Sequence, residues 1–218
     1  MSSVASWPEW IGLLLPGLQT SVLLTVAMLA MGLPLGLLLA LGASATRFPP
    51  LQWVTLAVVE MGRGVPVLVI IYLVYFGLPQ VDITIGAFAA GSVALAVSFG
   101  AYTSEVFRAG LAAVPAGQHD AAQALGLRPR KVLRLVILPQ AIRIVTPPIL
   151  GWTIIFFQAT SLCYAIAVPE LLSRAYTLAT NTFEYFGVLL LAAVLYAAIC
   201  IPASQFVARI ERRRARGR

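Results

Sequence analysis

The chain has 218 residues, 60% of them hydrophobic and 11% charged, with a mean hydropathy of +0.92. Soluble domains carry about a quarter charged residues and under half apolar ones, so polar side chains are too few here to cover a water-soluble globule. The net charge of +7 would suggest nucleic acid in a soluble protein, yet twelve of the fifteen basic residues lie in two clusters, at 108–143 and 209–218. Such clusters flank membrane segments, which excludes a nucleic-acid partner. One hydrocarbon crossing takes roughly 20 apolar residues, so the length allows five or six helices with their loops and leaves no room for a separate enzymatic domain.

The first seventeen residues contain Trp7 and Trp10 beside Pro8 and Glu9 and no Lys or Arg. They lack the basic region of a cleaved leader and suit a retained segment lying in the membrane interface. The charge-free run 18–45 is expected to be the first crossing, with Pro34 and Gly36 as points of bending. A second crossing is expected over 51–78 and a third over 83–106, with Pro79 and Asp82 marking the turn between them. The fourth is expected from Ile142 to Ile166, interrupted early by Pro147 and Pro148, and the last over 186–207. Cys163 and Cys200 lie in apolar runs without metal-ligand spacing and are read as small core residues.

With the N-terminus outside, thirteen of the fifteen basic residues fall inside: Arg47, the 108–143 cluster and a basic tail at about 208–218. Arg174 alone falls outside, and Arg63 lies within the second crossing. That asymmetry predicts an N-out, C-in orientation, with the tail as a solvated stop signal that attracts anionic lipid. No internal repeat is visible, so residues 1–218 are expected to form a single all-α membrane domain of about five crossings.

The inner loop at about 108–140 is too long for a plain connector. Pro115 can open a helix, Asp120 suits its N-terminal half and Gly126 can supply a left-handed stop. Ala116, Ala121, Ala122 and Ala124 would let another backbone come close. A second short helix is expected from Pro129 to Pro139, carrying Arg128, Arg130, Lys131 and Arg134 near lipid headgroups. Val132, Leu133, Val136 and Ile137 would pack inward. Composition alone leaves two readings, an amphipathic loop lying on the surface without a partner and an element built to dock.

Glu60 and Arg63 are an ionisable pair inside a crossing, three residues apart and on one helical face. Each alone would cost about 2.5–3.5 kcal/mol at the bilayer centre, so they pair structurally or face a hydrated translocation pathway. Gly64 and Pro66 loosen the backbone beside them, which is tolerated where it lines a cavity. Glu105 and Arg108 repeat the spacing at the inner end of the third crossing and are read as membrane-face anchors. His119 is read as an exposed loop residue without chemistry.

DAAQALGLRPRKVLRLVILPQA at 120–141 resembles the cytoplasmic signature E-A-A-x3-G-x9-I-x-L-P of permease subunits of ATP-binding-cassette (ABC) importers, with Asp120, Ala121, Ala122, Gly126, Val136, Leu138 and Pro139 at matching spacing. GLQTSVLLTV (17–26), GRGVPVLVIIYLVYFGLP (62–79), AYTSEVFRAGL (101–111) and TSLCYAIAVPELL (160–172) are similar to segments of the bacterial polar amino acid permeases, of the histidine and glutamine permease kind. The resemblance implies a type I ABC importer transmembrane domain in the bacterial inner membrane. It would have five helices, pair with an identical or paralogous permease subunit, and carry a coupling helix at about 115–125 between the third and fourth crossings. Asp120, Ala121, Ala122, Gly126 and Pro139 would serve coupling to a dimer of ABC ATPase subunits, which bind the ATP and Mg; no cofactor is expected on this chain. An extracytoplasmic solute-binding protein would deliver an amino acid substrate.

Two departures stand out. Asp120 replaces the signature Glu and is one methylene shorter. Gln158 and Ala159 stand where many relatives carry a charged or strongly polar pair, which leaves the substrate's charge open. Gln158, Thr160 and Ser161 could offer neutral hydrogen-bonding groups to a substrate, or Thr160 and Ser161 could bond to backbone or a neighbouring helix.

No G-x-x-x-x-G-K-[ST] loop is present and the single lysine, Lys131, follows no glycine-rich turn, so ATP hydrolysis is expected on another polypeptide and this chain is not read as an enzyme. An ion-coupled secondary amino acid carrier, the alternative, would need ionisable groups at the midplane and an inverted repeat. An intramembrane hydrolase would need a nucleophile with a base, or two aspartates in one crossing.

Overall fold

A computed structural model describes residues 6–44 and 48–216, without the side chains of His119 and of 214–216. The expectations for Met1, Arg47, His119 and the end of the basic tail therefore lie outside the described residues. Helix α1, Trp7–Ala43, is 37 residues long, about 55 Å at 1.5 Å per residue. The expected interfacial segment is thus the first part of the same rod. Its buried residues recur every three or four positions along the whole length (Trp10, Leu14, Gly17, Ser21, Leu24, Met28, Gly32, Gly36, Ala40, Ala43), which gives one continuous seam.

From Leu24 onward that seam lies mainly on α4, Ala87–Ala112, the central helix and the most deeply buried. A Cβ at Gly32 would stand 2.8 Å from the Phe99 ring and 3.1 Å from the Ala96 carbonyl oxygen, and one at Gly100 would stand 3.2 Å from the Gly32 carbonyl oxygen. The two backbones meet because nothing is attached where they touch, which is how helices associate when lipid offers no hydrophobic drive.

The second crossing is broken. Helix α2, Pro49–Gly64, and the segment Val67–Val81 meet at 108°. The second arm starts as α3, Val67–Tyr72, widens into a π turn at Leu73–Gly77 and tightens into a 3-10 turn at Leu78–Val81. Pro66 has no N–H for the Gly62 carbonyl and forces Val65 extended (φ −85°, ψ 131°). The orphaned carbonyls are met from α4: Ser98 Oγ donates to Gly62 O at 3.1 Å and the Tyr102 hydroxyl to Arg63 O at 3.2 Å. The arm ends at Asp82 in the left-handed region, φ 61°.

Pro115 caps α5, Ala116–Ala124, and Gly126 closes it at φ +74°. From Pro129 the chain then stays helical to Ile166: α6, Pro129–Val132, a π turn at Leu133–Ile137, α7, Leu138–Ala159, and a 3-10 segment at Thr160–Ile166. The expected second short helix does not stop at Pro139, and Pro147 and Pro148 do not interrupt the crossing. A proline ring inside a helix presses on the carbonyl four residues earlier. Before Pro139 that residue is Leu135, and before Pro79 it is Tyr75; each is the middle residue of a π turn, whose wider backbone makes room. Of the residues expected to pack inward, Val132 is buried while Leu133 is 48% exposed.

Helix α8, Leu171–Thr182, lies between the fourth and fifth crossings and no sequence expectation foresaw it. It packs Leu171, Ala175 and Ala179 against Trp10 and Leu14 of α1 and Val188, Leu191 and Ala192 of α9, Tyr185–Arg216. This second core packs the start of α1 against α8 and α9. Among the described residues four helical spans are long and apolar enough to cross a membrane, and the bent pair makes five. The described chain is a multi-pass all-α membrane protein, with Cys163 and Cys200 buried and unbridged.

Candidate functional site: a docking helix and a broken crossing

Helix α5 presents Asp120, Ala121 and Ala124 to solvent, with Leu125 81% exposed at its end. Ala122 points the other way and is 4% exposed. It lies on the inner face of α5 and does not form the helix's outward surface. Gln140 Nε2 donates to Gln118 Oε1 at 3.1 Å and to Val136 O at 3.0 Å, tying α5 to the start of α7. A cleft of about 270 Å³ lies behind α5, lined by Leu111, Val114, Pro115, Ala116, Leu133 and Ile137. Helix α5 is joined through α6 to a helix that continues past Pro139 to Ile166 in the main core. Gly126 acts only through its backbone, since a Cβ there would meet nothing within 4 Å.

At the broken crossing Arg63 Nη1 stands 3.6 Å from Glu60 Oε1, with side chains 37% and 73% exposed. The Arg63 guanidinium lies 5.9 Å above the Tyr102 ring, and Trp152 stacks on Tyr102 with centroids 4.2 Å apart. Phe156 closes the group edge-on to both Tyr102 and Phe99. The helix end, an aromatic wall from α4 and α7, and one open ion pair are thus brought together from three elements.

The other expected site residues divide. Thr160 is buried with its hydroxyl on Phe157 O at 2.7 Å, and Ser161 donates to Gln158 O at 2.8 Å. Both hydroxyls satisfy carbonyls where the α-helix tightens into 3-10 geometry. Gln158 is exposed. Glu105 and Arg108 pair at 3.5 Å on the inner turn of α4, half-buried, in a shallow cleft with Ser44.

The residue that sequence reasoning passed over is Glu170. It is fully buried, and its carboxylate accepts from Ser173 N at 2.7 Å, Leu172 N at 2.9 Å, the Tyr196 hydroxyl at 2.9 Å and Ser21 Oγ at 3.4 Å. It caps α8 and joins α1, α8 and α9 through one side chain. Burial holds its carboxyl above the usual carboxylate range, and the hydrogen bonds partly oppose this. The missed signal was the apolar spacing Leu171, Ala175, Ala179 directly after Pro169 and Glu170.

The chain resembles the L-cystine transport system permease protein TcyB of Bacillus subtilis, at 34% identity over 95% of this chain and 87% of that one. It resembles the arginine transport system permease protein ArtQ of the same organism at 32% identity over 92% and 91%. Its fold matches the crystal structure of an amino acid ABC transporter with histidines at a TM-score of 0.88 and 32% identity, over 96% of this chain and 97% of that one. These likenesses support ATP-driven transport and give the ion-coupled carrier no support. A family model described as binding-protein-dependent transport system inner membrane component spans residues 32–216, the broken crossing, helix α5 and the Glu170 junction included, and the chain belongs to that family of ABC transporter permeases.

Proposed function

We propose that this chain, as one domain over 1–218, forms half of the membrane pathway of an amino acid importer. ATP and Mg act on a separate dimer of ABC ATPase subunits that grips α5, and the chain itself binds neither. A solute-binding protein supplies the amino acid from outside, and a second permease subunit, identical or paralogous, completes the pathway. The protein sits in the bacterial inner membrane with Trp7 outside and the α9 end inside, the orientation its basic residues favour. The observation that carries the reading is mechanical: α5 offers a small-residue outer surface and is fastened to a helix running unbroken from Pro129 to Ile166. Nucleotide-dependent preference for one spacing of two such docking helices would then bias the membrane helices between two arrangements. Glu60, Arg63, Gln158 and Ser161 are the pathway candidates; Thr160 supports the helix end, and Glu105 with Arg108 anchors the inner face.

The test is amino acid uptake into vesicles carrying the permease, its ATPase and its binding protein. Leu125→Asp is expected to leave membrane insertion intact and to abolish uptake together with substrate-stimulated ATP hydrolysis. Uptake at the wild-type rate by this variant would overturn the coupling assignment.

A further inference from the structure

We infer that Glu60 and Arg63 form a clamp for the zwitterionic head of an α-amino acid, Arg63 taking the carboxylate and Glu60 the ammonium. This rests on the importer reading above and goes beyond it in naming the chemical group that the membrane domain recognises. Glu60 and Arg63 stand eleven and fourteen residues into α2, about 16 and 21 Å along the helix and near or past the middle of a roughly 30 Å hydrocarbon core. Two charges exposed to lipid there would be costly, so their open sides face water, a second subunit or a passing solute. Their mutual contact is loose. At 3.6 Å it exceeds hydrogen-bond length, and solvent-open pairs of this kind hold together weakly, so both partners can exchange for a ligand of complementary polarity. An α-amino acid presents that complement, with opposite charges on adjacent carbons.

The surroundings favour the same ligand. Arg63 is held from behind by the Tyr102 face, itself backed by Trp152, and its own carbonyl is fixed by the Tyr102 hydroxyl. The guanidinium is thus oriented while its donors stay available for bidentate contact with a carboxylate. Glu60, 73% exposed, is the free arm. Recognition confined to the head group leaves the substrate side chain unread at this point, as a pathway needs if relatives move cystine and arginine through a common frame.

The experiment is equilibrium binding to the permease–ATPase complex without its binding protein, which would otherwise impose its own selectivity. Tritiated L-arginine, L-cystine, L-glutamine and L-histidine are the probes, each displaced by the unlabelled amino acid, its carboxamide and its N-acetyl derivative. The wild type is expected to prefer the free amino acid over both derivatives by about tenfold or more, the scale of one charge-assisted hydrogen bond. Arg63→Gln should bind amino acid and carboxamide alike while still rejecting the N-acetyl form, and Glu60→Gln should do the converse. Arg63→Lys, which keeps the charge, should retain the carboxylate preference, and it serves as the test if Arg63→Gln does not fold. Equal weakening of all three ligands in each variant would mean a structural ion pair only and would overturn the clamp. So would wild-type binding of the derivatives as tightly as the amino acid. Absence of binding by the complex, with uptake intact in the full system, overturns the clamp alone. Absence of uptake of any amino acid by the full system overturns the importer reading beneath it.

Discussion

Glu170 shows how much one side chain can hold in a lipid-embedded fold. Its carboxylate serves two backbone N–H groups and two hydroxyls drawn from three helices. Removing an acceptor strands each donor at about 1–3 kcal/mol, so Glu170→Ala is expected to lower the thermal midpoint in detergent far more than Glu170→Gln, which keeps a carbonyl oxygen. The pH dependence has a definite sign. A carboxyl held above its ordinary range in the fold contributes most below its unfolded pKa, and the contribution fades as pH rises through the folded value. The midpoint of the wild type relative to Glu170→Gln should therefore rise on going from neutral to acidic pH, and a difference that fell toward acid would contradict the burial argument. Gly32 makes the opposite kind of contribution, by absence. Gly32→Val would drive a branched side chain into Phe99 and the Ala96 carbonyl, and overpacking of this sort costs about 1–3 kcal/mol, measurable in the same melting experiment.

Among the elements, the prolines separate local rule from tertiary outcome. Pro66 does what its chemistry dictates and breaks a helix, and the structure converts the break into a joint by aiming Ser98 and Tyr102 at the two orphaned carbonyls. Pro66→Ala restores the missing donor to Gly62. We expect normal insertion with strongly reduced uptake, because the 108° turn that places Arg63 over Tyr102 would relax; uptake within about twofold of wild type would count against a working role for the bend. Pro139, Pro147 and Pro148 obey the same local rule and do not break their helix. Pro139 has a π turn ahead of it, and Pro147 is buried where the helix packs on its neighbours. Sequence patterning cannot register such compensation, which is why it stopped the helix from Pro129 at Pro139 and interrupted the fourth crossing. The same blindness hid α8. Twelve residues with a narrow apolar stripe resemble a loop until α1 and α9 are there to cover them.

At the level of the whole molecule, the odd number of crossings, counting the bent pair as one, puts the start of α1 and the end of α9 on opposite sides of the membrane. Reporter fusions should place Trp7 outside and the basic end of α9 inside, and the reverse result would overturn the assignment of α5 to the ATPase side. Much of this plan was written in composition. Charge depletion dictated a lipid solvent, apolar run length the number of spans, and the placement of arginines a preferred orientation, since each depends only on what a residue costs in water or in hydrocarbon. The short helix α5 was likewise legible, because Pro115 and Gly126 act on their own backbone. The joint at Pro66, the inward turn of Ala122, the aromatic wall behind Arg63 and the junction at Glu170 became visible only in three dimensions. Each depends on which distant group arrives opposite it, and a partner forty or a hundred and fifty residues away leaves no periodic trace in a linear chain.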